Sequence, residues 1–307
     1  MKTESFAFLA EDGTQVWVHR WLPEQVRGVC QIAHGMAEHG QRYQHFAGVL
    51  VNAGYAVYAN DHRGHGKTAG RVENVGYFAD KNGWNLVVED MRQLTRIIKE
   101  NHEDMPVFLL GHSMGSLLAI DYLSKFGDEL TGALLSAPPG DPGLRGTMAI
   151  YLAKLERYLK GKKAQSPMFD RLIFGNFNKA FRPNRTAFDW LSGDDAEVDA
   201  YIADPFCGTI FTCGFFVDFL TGVKNSHNSK VIEAIPKDLS IYIAAGEKDP
   251  VGYNGKGVIK LKNTLEKAQI EDLSLTLYRD TRHEILNEIN RKKVYSEILA
   301  WVGQRTP

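Results

Sequence analysis

Six mostly apolar runs along this chain predict buried β-strands. They are Val29–Ala33, Tyr55–Asn60, Val107–Leu110, Gly132–Ala137, Leu239–Ala245 and Leu273–Tyr278. Runs without regular polar alternation, as in the first five, are typical of a parallel sheet covered on both faces. Two earlier runs, Phe6–Leu9 and Val16–Trp21, are joined through Asp12-Gly13, which predicts a hairpin. Together these runs predict a mostly parallel sheet of eight strands.

Segments with helical spacing separate the strands. Apolar residues from Trp84 to Ile98 recur every three or four positions and form one stripe for packing on a sheet. Helices are also predicted over Met114–Phe126 and Glu284–Val302. In the last helix, four residues are predicted to face inward: Ile285, Ile289, Ile298 and Trp301. Alternating strands and helices predict right-handed crossovers and a sheet with helices on both faces.

Residues 141–236 interrupt this alternation. The segment opens with the turn sequence APPGDPG and contains ten of the sixteen phenylalanines. An insertion between two strands of such a sheet lies over the edge where ligands bind. We therefore expect a mostly helical cap over residues 141–236, on a core formed by 1–140 and 237–307. Its aromatic residues favour an acyl-chain tunnel over a peptide groove, although each one alone also fits ordinary packing within the cap.

The composition excludes several classes of protein. Of 307 residues, 44% are hydrophobic and 24% charged, which is unlike a disordered chain. The net charge of −1 gives no general attraction to nucleic acid. No leader peptide or spanning run is apparent, so a cytoplasmic protein with reduced cysteines is expected. The sequence predicts no stable membrane insertion; transient contact with lipid fits an apolar cap, but no basic amphipathic stripe indicates it. Nothing in the sequence indicates an oligomeric state.

The strongest chemical signal follows the run Val107–Leu110. Gly111-His112-Ser113-Met114-Gly115 has the form G-x-S-x-G at a strand-to-helix junction, which is the context that a nucleophile elbow requires. The flanking glycines leave room for the sharp turn that exposes the Ser113 hydroxyl. Met114 would place its N–H at the start of a helix, where it could bind an oxyanion.

A serine nucleophile needs a base and an orienting acid. Asp249 follows the strand Leu239–Ala245, and His283 follows the strand Leu273–Tyr278. Both loops open on the same edge of the predicted sheet as Ser113, so the three side chains can converge. Glu247 and Asp280 are rival acids, but Asp280 is close in sequence to His283 and Glu247 comes earlier on its turn.

A second oxyanion donor is expected in the loop after Val29–Ala33, which reads HGMAEHG. We identify the Met36 N–H as this donor, with Gly35 allowing a close approach of the backbone. His34, Gly35, Glu38 and His112 are predicted to support the site. Glu38 and Arg42 form either an ion pair that rigidifies this loop or a solvated pair of surface charges.

Two local motifs resemble cofactor sites but lack the required spacing. The histidines and glutamate of HGMAEH miss the H-x-x-E-H spacing by one residue, so no metal is predicted. GHGKTA matches G-x-G-x-x-A, but no apolar-periodic helix follows it, so residues 61–66 are interpreted as a structural turn. The predicted site requires no cofactor.

These motifs together resemble a known family. HGMAEHGQRY, YAVYANDHRGHGKT, GYFADKNGW, GHSMGS, GEKDPVG and RHEILNE are similar to the α/β-hydrolases of the lysophospholipase and monoacylglycerol lipase-like group, also called serine aminopeptidase S33. The resemblance covers most of the chain. It implies an α/β-hydrolase fold and a serine carboxyl-ester hydrolase acting on monoacylated lipids, with Ser113, Asp249 and His283 as the triad and Met36 and Met114 as oxyanion amides. Ala37 replaces a glycine of the monoglyceride lipase motif.

Four alternatives to this function remain open at the level of sequence. They are a small-ester esterase, an aminopeptidase, an acyltransferase and a binding module without catalysis. An aminopeptidase would need carboxylates in the cap to hold the amine of its substrate. Four acidic residues of the cap are available for that role: Glu156, Asp194, Asp195 and Glu197. A small-molecule acyl ester is the expected substrate.

Overall fold

One eight-stranded sheet runs through the protein, which is described over residues 1–307 by a computed structural model. Its strands are β1 (Lys2–Leu9), β2 (Gln15–Leu22), β3 (Gly28–Ala33), β4 (Tyr55–Asn60), β5 (Val107–His112), β6 (Gly132–Ser136), β7 (Ser240–Gly246) and β8 (Leu273–Tyr278). Their spatial order is β1-β2-β4-β3-β5-β6-β7-β8. β2 pairs antiparallel with β1 and β4, and all other neighbours are parallel. The predicted mostly parallel sheet is confirmed.

Eleven α-helices accompany the sheet. They are α1 (Gln44–Asn52), α2 (Gly66–Ala69), α3 (Gly83–Asn101), α4 (Met114–Phe126), α5 (Gly143–Lys160), α6 (Pro167–Phe174), α7 (Asp195–Ala203), α8 (Cys213–Ser226), α9 (Ser229–Glu233), α10 (Lys256–Lys267) and α11 (Arg291–Gly303). Helices α3, α4, α8 and α10 share one apolar core, whereas α1 and α11 pack in another. Alternate residues of the same strands enter the two cores, so helices cover both faces of the sheet.

Residues 141–236 contain helices α5 to α9 and no strand of the sheet. The later part of the segment packs on the core, because Phe215 and Phe219 of α8 lie in the apolar cluster that includes Leu117 of α4. The Ser226 hydroxyl also donates to the Leu117 carbonyl oxygen at 3.0 Å. Helices α5 and α6 lie farther from the sheet and carry most of the exposed apolar residues of the segment.

The final helix begins later than the sequence predicts. A short 3₁₀ turn covers Ile285–Asn287, and α11 begins at Arg291. The prediction that Ile289 faces inward is wrong, because its side chain is 73% exposed. The Glu288 carboxylate accepts hydrogen bonds from the backbone N–H groups of Arg282 and Gly193 at 2.8 and 3.0 Å. These bonds hold the chain as a loop at the end of β8.

Asp61 organises the turn that was predicted for residues 61–66. Its carboxylate accepts hydrogen bonds from the backbone N–H groups of Gly40 and Lys67 at 2.8 and 2.7 Å. It also lies 3.2 Å from Nε2 of His19. The turn thereby ties the loop after β3 to the loop after β4, and the short helix α2 begins at Gly66.

Candidate active site

Ser113 occupies a sharp turn between β5 and α4. Its backbone has φ 51° and ψ −119°, outside the regions that side-chain-bearing residues prefer, which is typical of functional turns. A Cβ atom on Gly115 would lie 2.0 Å from the Ala33 carbonyl oxygen, so glycine is required there. A Cβ atom on Gly111 would likewise clash with the backbone of Gly115. The two glycines of the motif therefore serve close packing around the turn.

His283 and Asp249 form a buried pair. Nδ1 of His283 lies 3.0 Å from Oδ1 of Asp249, and both side chains are almost fully excluded from solvent. The Asp249 oxygen also accepts the Val251 N–H at 2.9 Å, which fixes the carboxylate in its loop. The rival acids are elsewhere, because Glu247 is exposed and Asp280 pairs with Lys248 at 2.8 Å on the surface.

The surroundings of the two buried imidazoles, His283 and His112, shift their pKa values in opposite directions. Burial alone would lower the pKa of His283, but the charge and hydrogen bond of Asp249 outweigh it and raise the pKa above its usual value. Burial, and then the proximity of His283, lower the pKa of His112 to about 3. The two rings are 4.9 Å apart. Of this pair, His283 is the one suited to accept a proton near neutral pH.

Two backbone N–H groups near Ser113 have no acceptor in the protein. They belong to Met36, in the loop after β3, and to Met114, at the first position of α4. Both residues line the same cavity as Ser113. A Cβ atom on Gly35 would lie 3.3 Å from the Ser113 Cβ, so the loop approaches the nucleophile closely. The arrangement has the donors that an oxyanion hole requires.

A buried group of three charges holds this loop. The Arg42 guanidinium lies 2.9 Å from the Glu38 carboxylate and donates two hydrogen bonds to Glu284, at 2.7 and 2.8 Å. Glu38 also accepts the Gly35 N–H at 2.6 Å and the Tyr43 hydroxyl at 2.9 Å. The solvated-pair alternative for Glu38 and Arg42 is therefore wrong. Glu284, which the sequence does not single out, directly follows His283, and its contact with Arg42 joins the His283 loop to the loop after β3.

The two glutamates of this group differ in their electrostatic environment. Burial would raise the pKa of both, but the bidentate contact with Arg42 lowers that of Glu284 to about 2. At Glu38, burial outweighs the attraction of Arg42, and the nearby Glu284 charge adds to the increase in pKa. Glu284 is therefore the stronger ionic partner of Arg42. Removing the guanidinium would leave buried carboxylates without compensation.

The segment 188–194 supports the loop that carries His283. The Trp190 carbonyl oxygen accepts the His283 N–H at 3.4 Å, and that of Leu191 accepts the Glu284 N–H at 2.7 Å. The Arg282 side chain donates to the Ser192 carbonyl oxygen at 2.9 Å. The Trp190 ring also packs 5.2 Å from the His283 ring. These contacts could not be read from the sequence, because the two segments are about ninety residues apart.

A cavity of about 640 Å³ opens above Ser113. Twenty of its thirty-five lining residues are hydrophobic, and five of the ten phenylalanines of residues 141–236 are among them. Ser113, His283, Met36, Met114, Gly35, Glu38 and His112 all line it. His34 lies behind the loop, where its Nε2 accepts the His62 N–H at 2.9 Å. The sequence-predicted residues are therefore brought to one site, with His34 and Asp249 buried beneath it.

The fold and this site define a class. A mostly parallel sheet, a serine on a strained strand-to-helix turn and a histidine–aspartate pair from later strands are the features of an α/β-hydrolase that uses a serine nucleophile. The family model described as Serine aminopeptidase, S33, matches residues 24–290. The chain belongs to this family, which confirms the resemblance found in the sequence.

Similar proteins include two curated enzymes and one crystal structure. The monoacylglycerol lipase of Mycolicibacterium smegmatis is 27% identical over 298 residues, which span 96% of this chain and 95% of that protein. The human monoglyceride lipase is 27% identical over 302 residues, spanning 96% and 89%. A thermostable carboxyl esterase from Bacillus coagulans, crystallised with glycerol, matches all of both chains with a TM-score of 0.92 and 28% identity. The chain is accordingly a serine hydrolase with the predicted α/β-hydrolase fold.

Three further histidines form a buried cluster behind the loop after β3. The His34 ring lies 4.1 Å from that of His62 and 5.0 Å from that of His65, and none is exposed. Burial lowers the pKa of His62 to about 3 and that of His65 to about 4. The Nε2 atoms of His62 and His65 have no partner in the protein. The cluster is therefore neutral in the folded state near physiological pH.

We expect this cluster to make the fold acid-sensitive. An unfolded histidine takes up a proton below about pH 6.5, whereas folded His65 stays neutral down to about pH 4. Its contribution to stability is complete above the unfolded pKa and falls by about 1.4 kcal/mol per pH unit between these values. In urea unfolding between about pH 4 and 6.5, the free energy of unfolding of His65→Gln should depend less steeply on pH than that of wild type. The difference in slope should correspond to the uptake of about one proton on unfolding. Ser113→Ala, which removes no titrating group, should keep the wild-type slope; an unchanged slope in His65→Gln would contradict the assignment.

Proposed function

We propose that this enzyme hydrolyses the carboxyl ester of monoacylated lipids, as a monoacylglycerol lipase or lysophospholipase does. One observation carries the proposal: the serine, its base and two free amides open into a cavity lined mainly by apolar side chains. A cavity of about 640 Å³ is within the range of small-molecule sites. The names of the relatives, which include monoacylglycerol lipases and a carboxyl esterase, support the same substrate class.

The mechanism that we propose has two steps of acyl transfer. His283 takes the proton of Ser113 as the serine oxygen attacks the ester carbonyl, and Asp249 keeps His283 in the required tautomer and stabilises its imidazolium. The Met36 and Met114 amides bind the oxyanion, each worth about 3 kcal/mol in the transition state. His283 then protonates the leaving alcohol. Water, activated by the same histidine, releases the acid, so that no cofactor is needed.

The four carboxylates predicted for an aminopeptidase do not reach the cavity. A free amine would need a carboxylate in the cavity wall, and in the segment 141–236 that position is taken by Asp170 of α6 and by none of the four acidic residues considered. Glu156 is buried against Ser166 and Lys160, and Asp194 pairs with Arg291. Asp195 pairs with Arg185, and Glu197 lies 3.7 Å from Arg291. Each of these carboxylates is therefore engaged elsewhere.

A panel of substrates tests this function. Purified protein should release fatty acid from monoacylglycerols or lysophospholipids with medium or long chains, and faster than acetate from a short ester. Ser113→Ala should lower kcat by at least about 10⁴. Turnover that persists in Ser113→Ala would contradict the nucleophile assignment, and cleavage confined to amino-acid amides would contradict the substrate class. Transfer of the acyl group to added glycerol in place of water would identify an acyltransferase.

We further propose that helices α5 and α6 contact a lipid surface transiently. Nine large apolar side chains on these helices are exposed, and we call their surface the α5–α6 face: Leu144, Met148, Tyr151, Leu152, Leu155, Tyr158, Leu159, Met168 and Leu172. Met148, Leu152 and Leu172 also line the cavity, so that the face is continuous with the entrance to the site. Contiguous exposed apolar patches on a protein surface often mark sites of contact with a membrane or another protein.

Charge favours an anionic lipid surface. Residues 143–172 contain seven basic and two acidic residues, although the whole chain has a net charge of −1. Of the two acids, Glu156 is buried and binds Lys160 at 2.7 Å. The support for an anionic surface is therefore this excess of basic residues within the two helices and the chain that joins them, and a basic amphipathic stripe is not part of it. None of the helices combines the length and apolar character needed to span a bilayer.

Vesicle binding tests the α5–α6 face. The protein should co-sediment with vesicles containing phosphatidylglycerol more than with pure phosphatidylcholine, and salt should weaken the difference. Leu155→Ser with Tyr158→Ser should reduce binding by at least about 30-fold, since burying one large apolar side chain contributes about 2 kcal/mol. Ile289→Ser, an exposed apolar residue outside the face, is the control and should bind like wild type. Equal binding of all three proteins would overturn the proposal, and concentration-dependent dimers would assign the face to a second copy.

A further inference from the structure

A cluster of three possible metal ligands lies between the loop after β3 and the segment after α7. Nε2 of His39 lies 2.8 Å from Oδ2 of Asp204, and the Cys207 thiol joins them. All three ligand atoms lie within 4.8 Å of one another. His39 and Cys207 are buried, whereas Asp204 is partly exposed and leaves a path from solvent. The proposed hydrolysis does not use any of these side chains.

We propose that His39, Asp204 and Cys207 form a site for a divalent zinc-like cation. Imidazole nitrogen, carboxylate oxygen and thiolate sulfur are the three ligand types that Zn²⁺ takes in proteins. Three protein ligands leave one of four tetrahedral positions for water or another donor.

The backbone around the cluster orders two of its ligands. The Cys207 N–H donates to the Asp204 carbonyl oxygen at 3.0 Å, which closes a tight turn between them. The Phe206 N–H donates to Oδ1 of Asp204 at 2.9 Å. That hydrogen bond holds the carboxylate and leaves Oδ2 directed at His39. The site is therefore partly organised without a cation.

The charges near the cluster favour a cation. Asp204, Glu38 and Glu284 are the carboxyl groups close to the Cys207 thiol, and Arg42 is the neighbouring cation. Zn²⁺ takes the thiolate form of cysteine, and an ordinary thiol is protonated at neutral pH. Binding of Zn²⁺ must therefore release the Cys207 proton to the buffer as the sulfur–metal bond forms.

The proposed cation site lies between two walls of the cavity. His39 lies in the loop that carries Met36, whereas Asp204 and Cys207 belong to the segment 141–236. The Gly208 N–H already donates to the Ala37 carbonyl oxygen at 3.1 Å, and both residues line the cavity. A bound cation would fasten these two walls of the cavity to each other beside the proposed oxyanion hole.

The local sequence does not predict this site. His39 comes from a motif whose own spacing fails for zinc, and its two partners are about 165 residues farther along the chain. Only folding brings them together. The inference does not depend on the proposed ester substrate, because it rests on ligand geometry alone.

Titration with Zn²⁺ and Co²⁺ tests the site in the full-length protein. Chelator-treated protein should bind one Zn²⁺ and release about one proton per ion, and bound Co²⁺ should show a thiolate-to-metal charge-transfer band. Cys207→Ser should abolish that band. It should also weaken Zn²⁺ binding by more than the ~10–100-fold that the loss of an outer-sphere partner costs.

A control variant and a second ligand variant separate this site from other sites of metal binding. Cys213→Ser removes another buried thiol of the same segment and should retain the Co²⁺ band and the Zn²⁺ affinity. His39→Gln should weaken binding as Cys207→Ser does, with circular dichroism confirming that both variants are folded. Unchanged Zn²⁺ binding in Cys207→Ser and His39→Gln, or no binding by wild type, would overturn the proposal.

Discussion

The close contact between the start of α4 and the end of β3 constrains the whole candidate site. Gly115 faces the carbonyl oxygens of Ala33 and His34 with no room for a side chain. Because of that contact, the turn at Ser113 and the loop carrying Met36 lie side by side, and their free N–H groups can address one oxyanion. The parallel strands of the sheet place the other two residues of the candidate site, because Asp249 follows β7 and His283 follows β8 at the same edge. A larger residue at position 115 would separate the nucleophile from the loop that is proposed to stabilise its reaction.

Buried charge holds the two sides of the site together. Arg42 connects Glu38, beneath the loop after β3, with Glu284, the neighbour of His283. Backbone carbonyl oxygens of Trp190 and Leu191 complete the support of the histidine loop. Such an arrangement keeps His283, the proposed general base, in position at some cost in desolvation, which a network with all its hydrogen bonds satisfied can tolerate. The segment 141–236 thus supports the loop that carries His283 as well as lining the cavity.

The sequence predicts the sheet well, and it indicates that the proposed site residues lie at one edge of that sheet, because strands and the residues that follow them are encoded locally. Each strand is a short apolar run, and each candidate catalytic residue follows such a run directly. Contacts between distant segments are not encoded in this way, which is why Glu284 as a partner of Arg42, and the meeting of His39 with Asp204 and Cys207, appear only in the structure. The predicted helix over Glu284–Val302 begins too early because Glu288 binds backbone N–H groups of other segments, an interaction that helical periodicity does not reveal. The cap boundaries at 141 and 236 and the cytoplasmic location stay predictions.

The proposed mechanism depends most on the pairing of Asp249 with His283, and one comparison of variants tests that pairing directly. With a monoacyl ester as substrate, Asp249→Asn should lower kcat by about 10⁴ while the circular dichroism spectrum stays that of the wild type, because the imidazole is held in the wrong tautomer. Asp280→Asn, which changes an exposed carboxylate near the same histidine in sequence, should stay within about twofold of wild type. Near-normal turnover in Asp249→Asn, or a large loss in Asp280→Asn alone, would contradict the assignment of the acid and with it the proposed mechanism.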